Sequence, residues 1–365
     1  QADDVAQRLF DANFDLLDGP DAPDLTIEEF DRELVLSWQY TNPASNNFFE
    51  NYRETDPVLE GTVQDPDFNF EGYIIYQLRD GGVSANDLDD ESLARPIAQA
   101  DIENGVGTIV NREEFRVPGV NEPIIQDQVM VEGDDDGLIH SLRVTEDAFA
   151  EGSQGSLVNY REYFFAVVAY AYNDTSSDGQ RFIVGNGNFR RVSAIAHKTS
   201  FEDFGLVLNS QFGDGIPVER ISGLGTGGQF IDVEPAVEDE ILDNNRADID
   251  YAPGASPIQV EVVNPKQVQD ETYRVIITRD SLIETNLRTN DEGVVTDTVD
   301  VRADWVMGTW DESSQTFDTV FVSTYTVFRS RGDTAPTPLS GRNQNVPGTG
   351  LSVSVEDFKD PGLTQ

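Results

Sequence analysis

The stretch NFEGYIIYQL, Asn69 to Leu78, has the most regular hydrophobic pattern in the chain. Its apolar side chains recur with the period of two that is typical of a β-strand. Tyr73 and Ile75 fall on one face of this strand, and Ile74 and Tyr76 fall on the other. Since both faces are apolar, the stretch predicts a strand that lies in a core.

Further strands are predicted on either side of this one. PDAPDLTIEEFDRELVLSWQY, Pro20 to Tyr40, reads as two strands joined by an acidic turn, and GLIHSLRV and RRVSAIAHKT follow the same alternation. NYREYFFAVVAYAYN, Asn159 to Asn173, is almost continuously apolar, which is typical of a central strand covered on both faces. A second set of predicted strands comprises PIQVEVVNP, TYRVIIT, TDTVDVRADWVMGTWD, TFDTVFVSTYTVFRS and LSVSVEDF.

The first set resembles a fibronectin type III module. PDAPDLTI is similar to the proline-rich lead into the first strand of that family, and LVLSWQY places Trp38 on the second strand. LVNYREYFFAVVAYAY is similar to the family's run toward a tyrosine corner, with Leu157 and Tyr163 at the corner positions. Asn159 and Arg161 stand where the family usually has Pro and Thr. The resemblance implies a spacer, adhesion or assembly module with a core formed by Trp38, Tyr73, Ile75, Leu157, Tyr163 and Phe165.

The predicted fold class is therefore all-β, with two antiparallel β-sandwich regions in series, long loop insertions and a short N-terminal helix. DDESLARPIAQADI, within the second insertion, predicts a further short helix. The predicted segments are an N-terminal segment at 1–19, a fibronectin type III-like sandwich at 20–200 with insertions at 41–67 and 79–130, a connection at 201–256, and a second sandwich at 257–365.

The composition is strongly acidic, with 68 Asp and Glu against 24 Lys and Arg and a formal net charge of -44. Such a charge repels phosphate backbones and anionic lipid, so we do not expect the chain to bind nucleic acids or membrane surfaces. The same charge destabilises a compact state at low ionic strength, and screening shortens to roughly 3 Å at 1 M salt. We therefore expect a surface adapted to high salt, with cation binding as the competing interpretation.

The chain has no cysteine and no apolar run that approaches the roughly 20 residues needed to span a bilayer. Disulfides, thiol nucleophiles and membrane insertion are accordingly not expected. The sequence opens on Gln1, and a signal peptide would have been removed or would lie outside it. Together with the family resemblance, these features predict a secreted or cell-surface protein.

Calcium is the candidate cofactor, because it takes about six to eight oxygen ligands and favours Asp-rich loops. EGDDDGLIHSLR places Asp134 and Asp136 at the spacing of the first half of an EF-hand loop, although Arg143 replaces the glutamate at position twelve. VQDPDFN offers Asp65 and Asp67, and LDNNRADIDY offers a third acidic loop. Each loop is also explained by a solvated acidic turn.

Catalytic patterns are weak. The two histidines, His140 and His197, lie in predicted strands without a local partner that would orient a general base. GLGTGG, Gly223 to Gly228, matches a dinucleotide-binding pattern but is followed by an acidic, Pro-interrupted segment in place of a helix. Paired carboxylates have no specificity in a chain with 68 acids. The sequence therefore predicts no enzyme.

The favoured function is a structural, adhesive or assembly protein. The apolar N-terminal segment 1–19, or an exposed sheet edge, would dock on a second copy of the chain or on another protein. The alternative is a glycan-binding accessory module of a secreted hydrolase, with Phe48, Phe49 and Tyr52 contacting the ligand.

Overall fold

The computed structural model describes an all-β fold built from several antiparallel sheets. The chain divides into two compact units, residues 1–199 and residues 200–365. The described residues are 17–48, 50–57, 59, 63–115, 124–150, 155–174, 180–185, 189–198, 208–222, 233, 237–238, 249–251, 256–279, 303–311, 313–323 and 343–355.

The first sheet of the first unit has the order β1-β2-β8. Strands β1 (Asp24–Phe30) and β2 (Glu33–Gln39) form the hairpin that the sequence predicted, and β2 also pairs with β8 (Ser141–Val144). Leu34, Leu36 and Trp38 alternate on β2 and are buried, as a period of two requires.

The second sheet is built around a central pair, β4 (Asp67–Leu78) and β9 (Glu162–Tyr172). Two strands pair with β4 along its other edge, and two pair with β9. The four flanking strands are β3 (Arg53–Thr55), β5 (Ala94–Asp101), β10 (Phe182–Val184) and β11 (Val192–Ile195).

One apolar core receives side chains from both of these sheets. Trp38 from the first sheet meets Tyr73 from the second edge to face, with ring centroids 6.1 Å apart. The hydroxyl of Tyr163 accepts a hydrogen bond from the backbone N–H of Val158 at 2.7 Å, at the approach to β9. All six residues of the predicted core are buried in this cluster: Trp38, Tyr73, Ile75, Leu157, Tyr163 and Phe165.

A hairpin supplies the cover for the opposite face of β4 and β9. Strands β6 (Thr108–Phe115) and β7 (Ile124–Glu132) pair with each other and place Ile109 and Val131 against Ile74, Val168 and Tyr170. This second cluster explains why NFEGYIIYQL and the β9 segment are apolar on both faces.

The helix predicted from DDESLARPIAQADI is wrong, because most of this segment is strand β5. Strand β5 pairs with β4 from Gly72 to Leu78, and Pro96 lies at the irregularity in that ladder, where a residue without an N–H is tolerated. A short 3-10 helix lies upstream at Ala85–Asp87. The insertion expected at 79–130 thus contains β5, β6 and most of β7, and tertiary pairing overrides the helix-forming composition of the β5 segment.

The second unit contains three small antiparallel sheets in its described part. Val260, Trp305, Met307 and Val353 share its main buried cluster. The strands are β12 (Glu219–Arg220), β13 (Ile249–Asp250), β14 (Ile258–Val262), β15 (Tyr273–Arg279), β16 (Ala303–Asp311), β17 (Thr316–Val322), β18 (Asn343–Val346) and β19 (Leu351–Val355). The sheets have the orders β12-β13, β14-β19-β18 and β15-β16-β17.

The predicted N-terminal helix lies almost entirely outside the described residues, which begin at 17. Leu17 packs against the core of the first unit, and Gly19 and Pro20 are buried. The last residues of this segment therefore belong to the first unit.

Candidate functional site

A cleft of about 500 Å³ lies where β4 ends and β9 begins, and three arginines line it. Arg79 follows β4, Arg95 lies in β5, and Arg161 directly precedes β9. The chain has only 24 basic residues against 68 acidic ones, so three arginines around one cleft create a local exception to its negative surface. The remaining lining residues are Gln77, Leu78, Asp147, Phe149, Ala150, Glu162 and Tyr163.

The arginine side chains are held in place by backbone carbonyls and aromatic rings. Arg95 donates to the carbonyl of Ala148 at 2.7 Å, and its guanidinium lies 4.8 Å from the centre of the Phe149 ring. The guanidinium of Arg161 lies 5.2 Å from the centre of the Tyr163 ring. Stacking of this kind orients a planar guanidinium before a ligand arrives.

A buried carboxylate and a buried amide form the base of the cleft. Gln77 donates to Asp147 at 2.7 Å and accepts from the N–H of Ala148 at 2.7 Å. Arg161 pairs with the other carboxylate oxygen of Asp147 at 2.9 Å. Because these bonds fix the loop that follows β8, the cleft is formed before any ligand binds.

The chemistry of this cleft suits an anion. Arg79 and Arg95 are exposed, and a guanidinium fork matches a carboxylate or sulfate in two-point geometry. A second cleft, of about 640 Å³, also contains two arginines, but there Arg190 pairs with Asp24 at 2.5 Å and Arg191 donates to the carbonyl of Val83. The arginines of the first cleft are bonded as well, but three of them line it against two in the second, so we regard the first cleft as the candidate binding site.

A buried polar group lies inside the core of the first unit. Glu50 approaches Nε2 of His140 at 2.5 Å, and the hydroxyl of Tyr73 donates to the same carboxylate oxygen at 2.5 Å. Glu50 and His140 are 3% and 5% exposed. Sequence reasoning missed this pairing because the two residues lie 90 positions apart. The burial gives a substrate no access to His140, so the pair is structural.

The second histidine lies at the surface. Nδ1 of His197 is 3.3 Å from a carboxylate oxygen of Glu29, and the ring also contacts the carbonyl of Ile195 at 3.0 Å.

An acidic cluster lies at the end of the β6–β7 hairpin. Glu71 and Asp101 are 4% and 2% exposed, and Asp135 comes from the loop after β7. Asn104 donates to Glu71 at 2.8 Å, and the N–H of Asp135 donates to Asp101 at 3.1 Å. Burial, with Asp101 and Asp135 close by, raises the pKa of Glu71 to about 8. Burial likewise raises the pKa of Asp101 to about 6.

The predicted calcium ligands Asp134 and Asp136 are exposed. Between them, Asp135 donates its backbone N–H to Asp101, and its carboxylate accepts from the backbone N–H groups of Asn104 and Gly105. Calcium at Asp134 and Asp136 stays a prediction. The backbone of Asp135 has a φ of 56°, which Asp tolerates in a turn. The spacing of acidic residues in the sequence does not reveal this turn or the contact to Asp101.

In the other predicted calcium loop, one carboxylate already pairs with an arginine. Asp67 is paired with Arg53 and accepts a hydrogen bond from Thr55, and these contacts hold its pKa below the ordinary value. Asp65 is exposed and accepts from the N–H of Asp67 at 3.2 Å. Calcium at Asp65 and Asp67 stays a prediction, and the ion would have to displace Arg53.

In the described part of the chain, no group of three or more Asp, Glu or His side chains is placed so that it could hold a metal ion. GLGTGG and most of LDNNRADIDY lie outside the described residues.

Two of the three aromatic residues predicted to contact a glycan, Phe48 and Tyr52, lie in the described part of the chain. Tyr52 is buried, with its hydroxyl donating to Glu54 at 2.8 Å, and Phe48 is half-buried. Phe49 lies outside the described residues. Tyr52 is therefore unable to contact a ligand in this conformation.

No protein-family model, curated protein or solved structure matches this chain. None of the helices in the described residues has the length and apolar character to cross a membrane.

Proposed function

We propose that the chain is a non-enzymatic structural and adhesive protein of the cell surface or the extracellular space, and that its first unit is a fibronectin type III-like sandwich. The observation that supports this most is the strand order. When the short β3 and the β6–β7 hairpin are set aside, eight strands of the first unit remain. The first, second and fifth of them, β1, β2 and β8, share one sheet. The third, sixth, seventh and eighth of them, β4, β9, β10 and β11, share the other sheet, as in immunoglobulin-like sandwiches.

Two further features support the sandwich. The fourth strand, β5, joins the sheet of β4 and β9, which leaves three strands facing a larger sheet across the Trp38 core. The hydrogen bond from Val158 to the Tyr163 hydroxyl has the geometry of a tyrosine corner. Since a fold of this kind does not by itself specify a function, the binding surface has to be argued from its own residues.

The arginine-lined cleft defines the binding surface in this proposal, and a second copy of the chain is its occupant. Each copy presents many exposed carboxylates, and the cleft offers exposed guanidinium groups that are already oriented. High salt screens the long-range repulsion between two chains of charge -44, while contact pairs inside a cleft are screened less. Self-association through this cleft would give assembly in concentrated salt.

Replacing Arg79 and Arg95 together with glutamine is expected to weaken self-association by about tenfold or more, because the cleft loses two of its three cations. Sedimentation velocity at about 2 M NaCl would measure the association constant. The matched control replaces Arg112 and Arg143 with glutamine, which changes the net charge equally at two exposed ion pairs elsewhere.

A wild-type chain that stays monomeric at every concentration would contradict the assembly proposal, as would equal effects of the two double variants. Binding of polygalacturonate to the monomer, lost in the Arg79 and Arg95 variant only, would instead establish the alternative function as an anionic-glycan-binding module.

Salt adaptation of the surface has its own test. Raising NaCl from roughly 0.1 M to roughly 2 M is expected to raise the melting temperature by about 5 °C or more, since screening relieves self-repulsion. Calorimetry in the presence of a chelator would measure it. Sucrose at equal osmolality is the control, and a rise as large in sucrose as in NaCl would contradict the screening account.

A further inference from the structure

We propose that β17 (Thr316–Val322) pairs antiparallel with β17 of a second copy of the chain. The three-stranded sheet β15-β16-β17 would then continue across a twofold axis into the same sheet of the second copy. This contact lies in the second unit and is separate from the arginine-lined cleft, so it stands whether or not the cleft binds a second copy.

The first argument is that β17 presents an open edge. Among the described strands, β17 pairs only with β16. Five of its seven residues are exposed, and Val320 and Val322 are 43% and 54% exposed. The outer edge of β14, by contrast, is covered by the segment 213–216, where the N–H of Ile216 donates to the carbonyl of Val260 at 2.7 Å. An open edge offers backbone N–H and C=O groups on which another strand can pair.

The second argument is that β17 lacks the charges that protect an edge strand. Its sequence TFDTVFV contains one charged residue, Asp318, in a chain in which 25% of the residues are charged. Strand β15, at the opposite edge of the same sheet, carries Arg274 and Arg279. Strand β1, at an edge in the first unit, carries three carboxylates. Since such charges prevent edge strands from pairing with other chains, β17 is the edge that is suited to pairing.

The third argument is that β17 is complementary to itself. In an antiparallel pair centred on Thr319, Phe317 lies opposite Phe321 of the second copy, and Asp318 lies opposite Val320. Aromatic cross-strand pairs stabilise a ladder, whereas like charges directly opposite each other destabilise it. The two copies of Asp318 would be diagonal neighbours about 7–8 Å apart, and salt at about 1 M screens charges beyond roughly 3 Å.

The charge of the whole chain also favours a second copy as the occupant. Two chains of net charge -44 repel each other, so a contact between them requires a surface with few carboxylates. A twofold contact uses the same patch on both copies, so β17 meets this requirement on both sides at once. A strongly charged peptide would find only Asp318 as a charged group on this strand.

Cysteine cross-linking tests the pairing and its register. The chain has no native cysteine, so an introduced one reports on a single position. Under mild oxidation at about 1 M NaCl, Thr319→Cys is expected to give a disulfide-linked dimer, because directly opposite residues lie about 4.5–5.5 Å apart, within reach of a disulfide. Thr316→Cys is the matched control on the same strand, because its two copies would lie six residues apart, about 20 Å.

The expected yield of linked dimer is at least about tenfold higher for Thr319→Cys than for Thr316→Cys. Mixing Thr316→Cys with Val322→Cys is expected to restore cross-linking, since these two positions lie opposite each other in the proposed register. Circular dichroism of the reduced proteins shows that each variant is folded.

Sedimentation velocity at the same salt concentration measures the contact without a disulfide. Val320→Asp combined with Val322→Asp is expected to weaken the dimer by about tenfold or more, because both carboxylates enter the paired edge. Val129→Asp combined with Val158→Asp is the matched control, since these valines are 52% and 56% exposed outside β17. The control pair is expected to leave the dimer unchanged.

All of these variants are made in a chain that also carries Arg79→Gln and Arg95→Gln, so that the cleft contributes little to association. Failure of the β17 contact is then distinguishable from failure of the cleft, whose own test compares different variants.

Three results would overturn the proposal. Equal cross-linking of Thr319→Cys and Thr316→Cys would mean that the register shift in the β16–β17 ladder turns this edge away from a partner. Equal effects of the two aspartate pairs would mean that added charge alone separates the copies. Open-ended growth in place of a dimer would mean that β17 takes part in a contact without twofold symmetry.

Discussion

Replacing Glu50 with alanine is expected to lower the free energy of unfolding by about 3–5 kcal/mol, because it removes one partner of a buried pair and leaves the other polar groups unsatisfied. Glu50 is 3% exposed, and its carboxylate oxygen lies 2.5 Å from both the His140 ring nitrogen and the Tyr73 hydroxyl. Alanine removes this shared acceptor and leaves His140 and Tyr73 without it inside the core. Chemical unfolding at high salt, with hydrogen exchange of the β4 and β9 amides to report on the first unit, would measure the change.

Glu33→Ala is the matched control for this prediction. Glu33 pairs with Arg143 at 2.7 Å, but the arginine side chain is about half exposed at 49%, and exposed pairs contribute at most about 1 kcal/mol. The destabilisation of Glu50→Ala should therefore be several times larger. If the two variants unfold at the same denaturant concentration, the buried pair does not stabilise the core in the way described above.

The burial of Glu50 is a feature that the sequence pattern did not predict. The segment 41–67 is rich in Asn, Pro and acidic residues, and we expected it to be a variable connection. In the structure Asn47, Glu50 and Tyr52 from this segment are buried, and the side chain of Asn47 accepts from the N–H of Tyr52 at 3.0 Å. A polar residue that is buried through a contact 90 positions away leaves no local pattern to detect.

Local hydrophobic pattern was sufficient for the strands that lie at the centre of a sheet. Strands β2, β4 and β9 were predicted because their side chains alternate or are continuously apolar, which reflects burial on one or both faces. Strand β5 was missed because it lies at an edge of β4, has few buried residues and contains Pro96. The apolar outer face of β4 indicated that another segment packs on it. Which segment does so depends on long-range packing, and the local pattern does not identify it.

The acidic cluster could not be predicted from the sequence for a similar reason. Glu71, Asp101 and Asp135 come from β4, β5 and the loop after β7, and about thirty residues separate each from the next. In a chain with 68 acids, nothing marks these three before the fold is known. Burial distinguishes Glu71 and Asp101 from Asp134 and Asp136, which sequence spacing favoured.

The stability of the first unit is expected to fall as pH rises from about 5 to about 8 when a chelator is present, by roughly 3–5 kcal/mol from Glu71 alone. Burial raises the pKa of Glu71 from 4.5 to about 8 and that of Asp101 from 3.8 to about 6. In this range the folded protein still binds protons that the unfolded chain has released. The free energy of unfolding is therefore greatest below pH 5 and is lost as these carboxyls ionise in the fold.

Glu71→Gln separates this effect from the general acidity of the chain. Glutamine keeps the shape of a protonated glutamate and does not ionise, so the variant is expected to be more stable than the wild type at about pH 8 and no more stable at about pH 5. The charged neighbours Asp101, Asp134 and Asp135 remain in the variant, so a weaker pH dependence should persist through Asp101. If the free energy of unfolding changes with pH in the same way in the wild type and in Glu71→Gln, a raised pKa at Glu71 is contradicted.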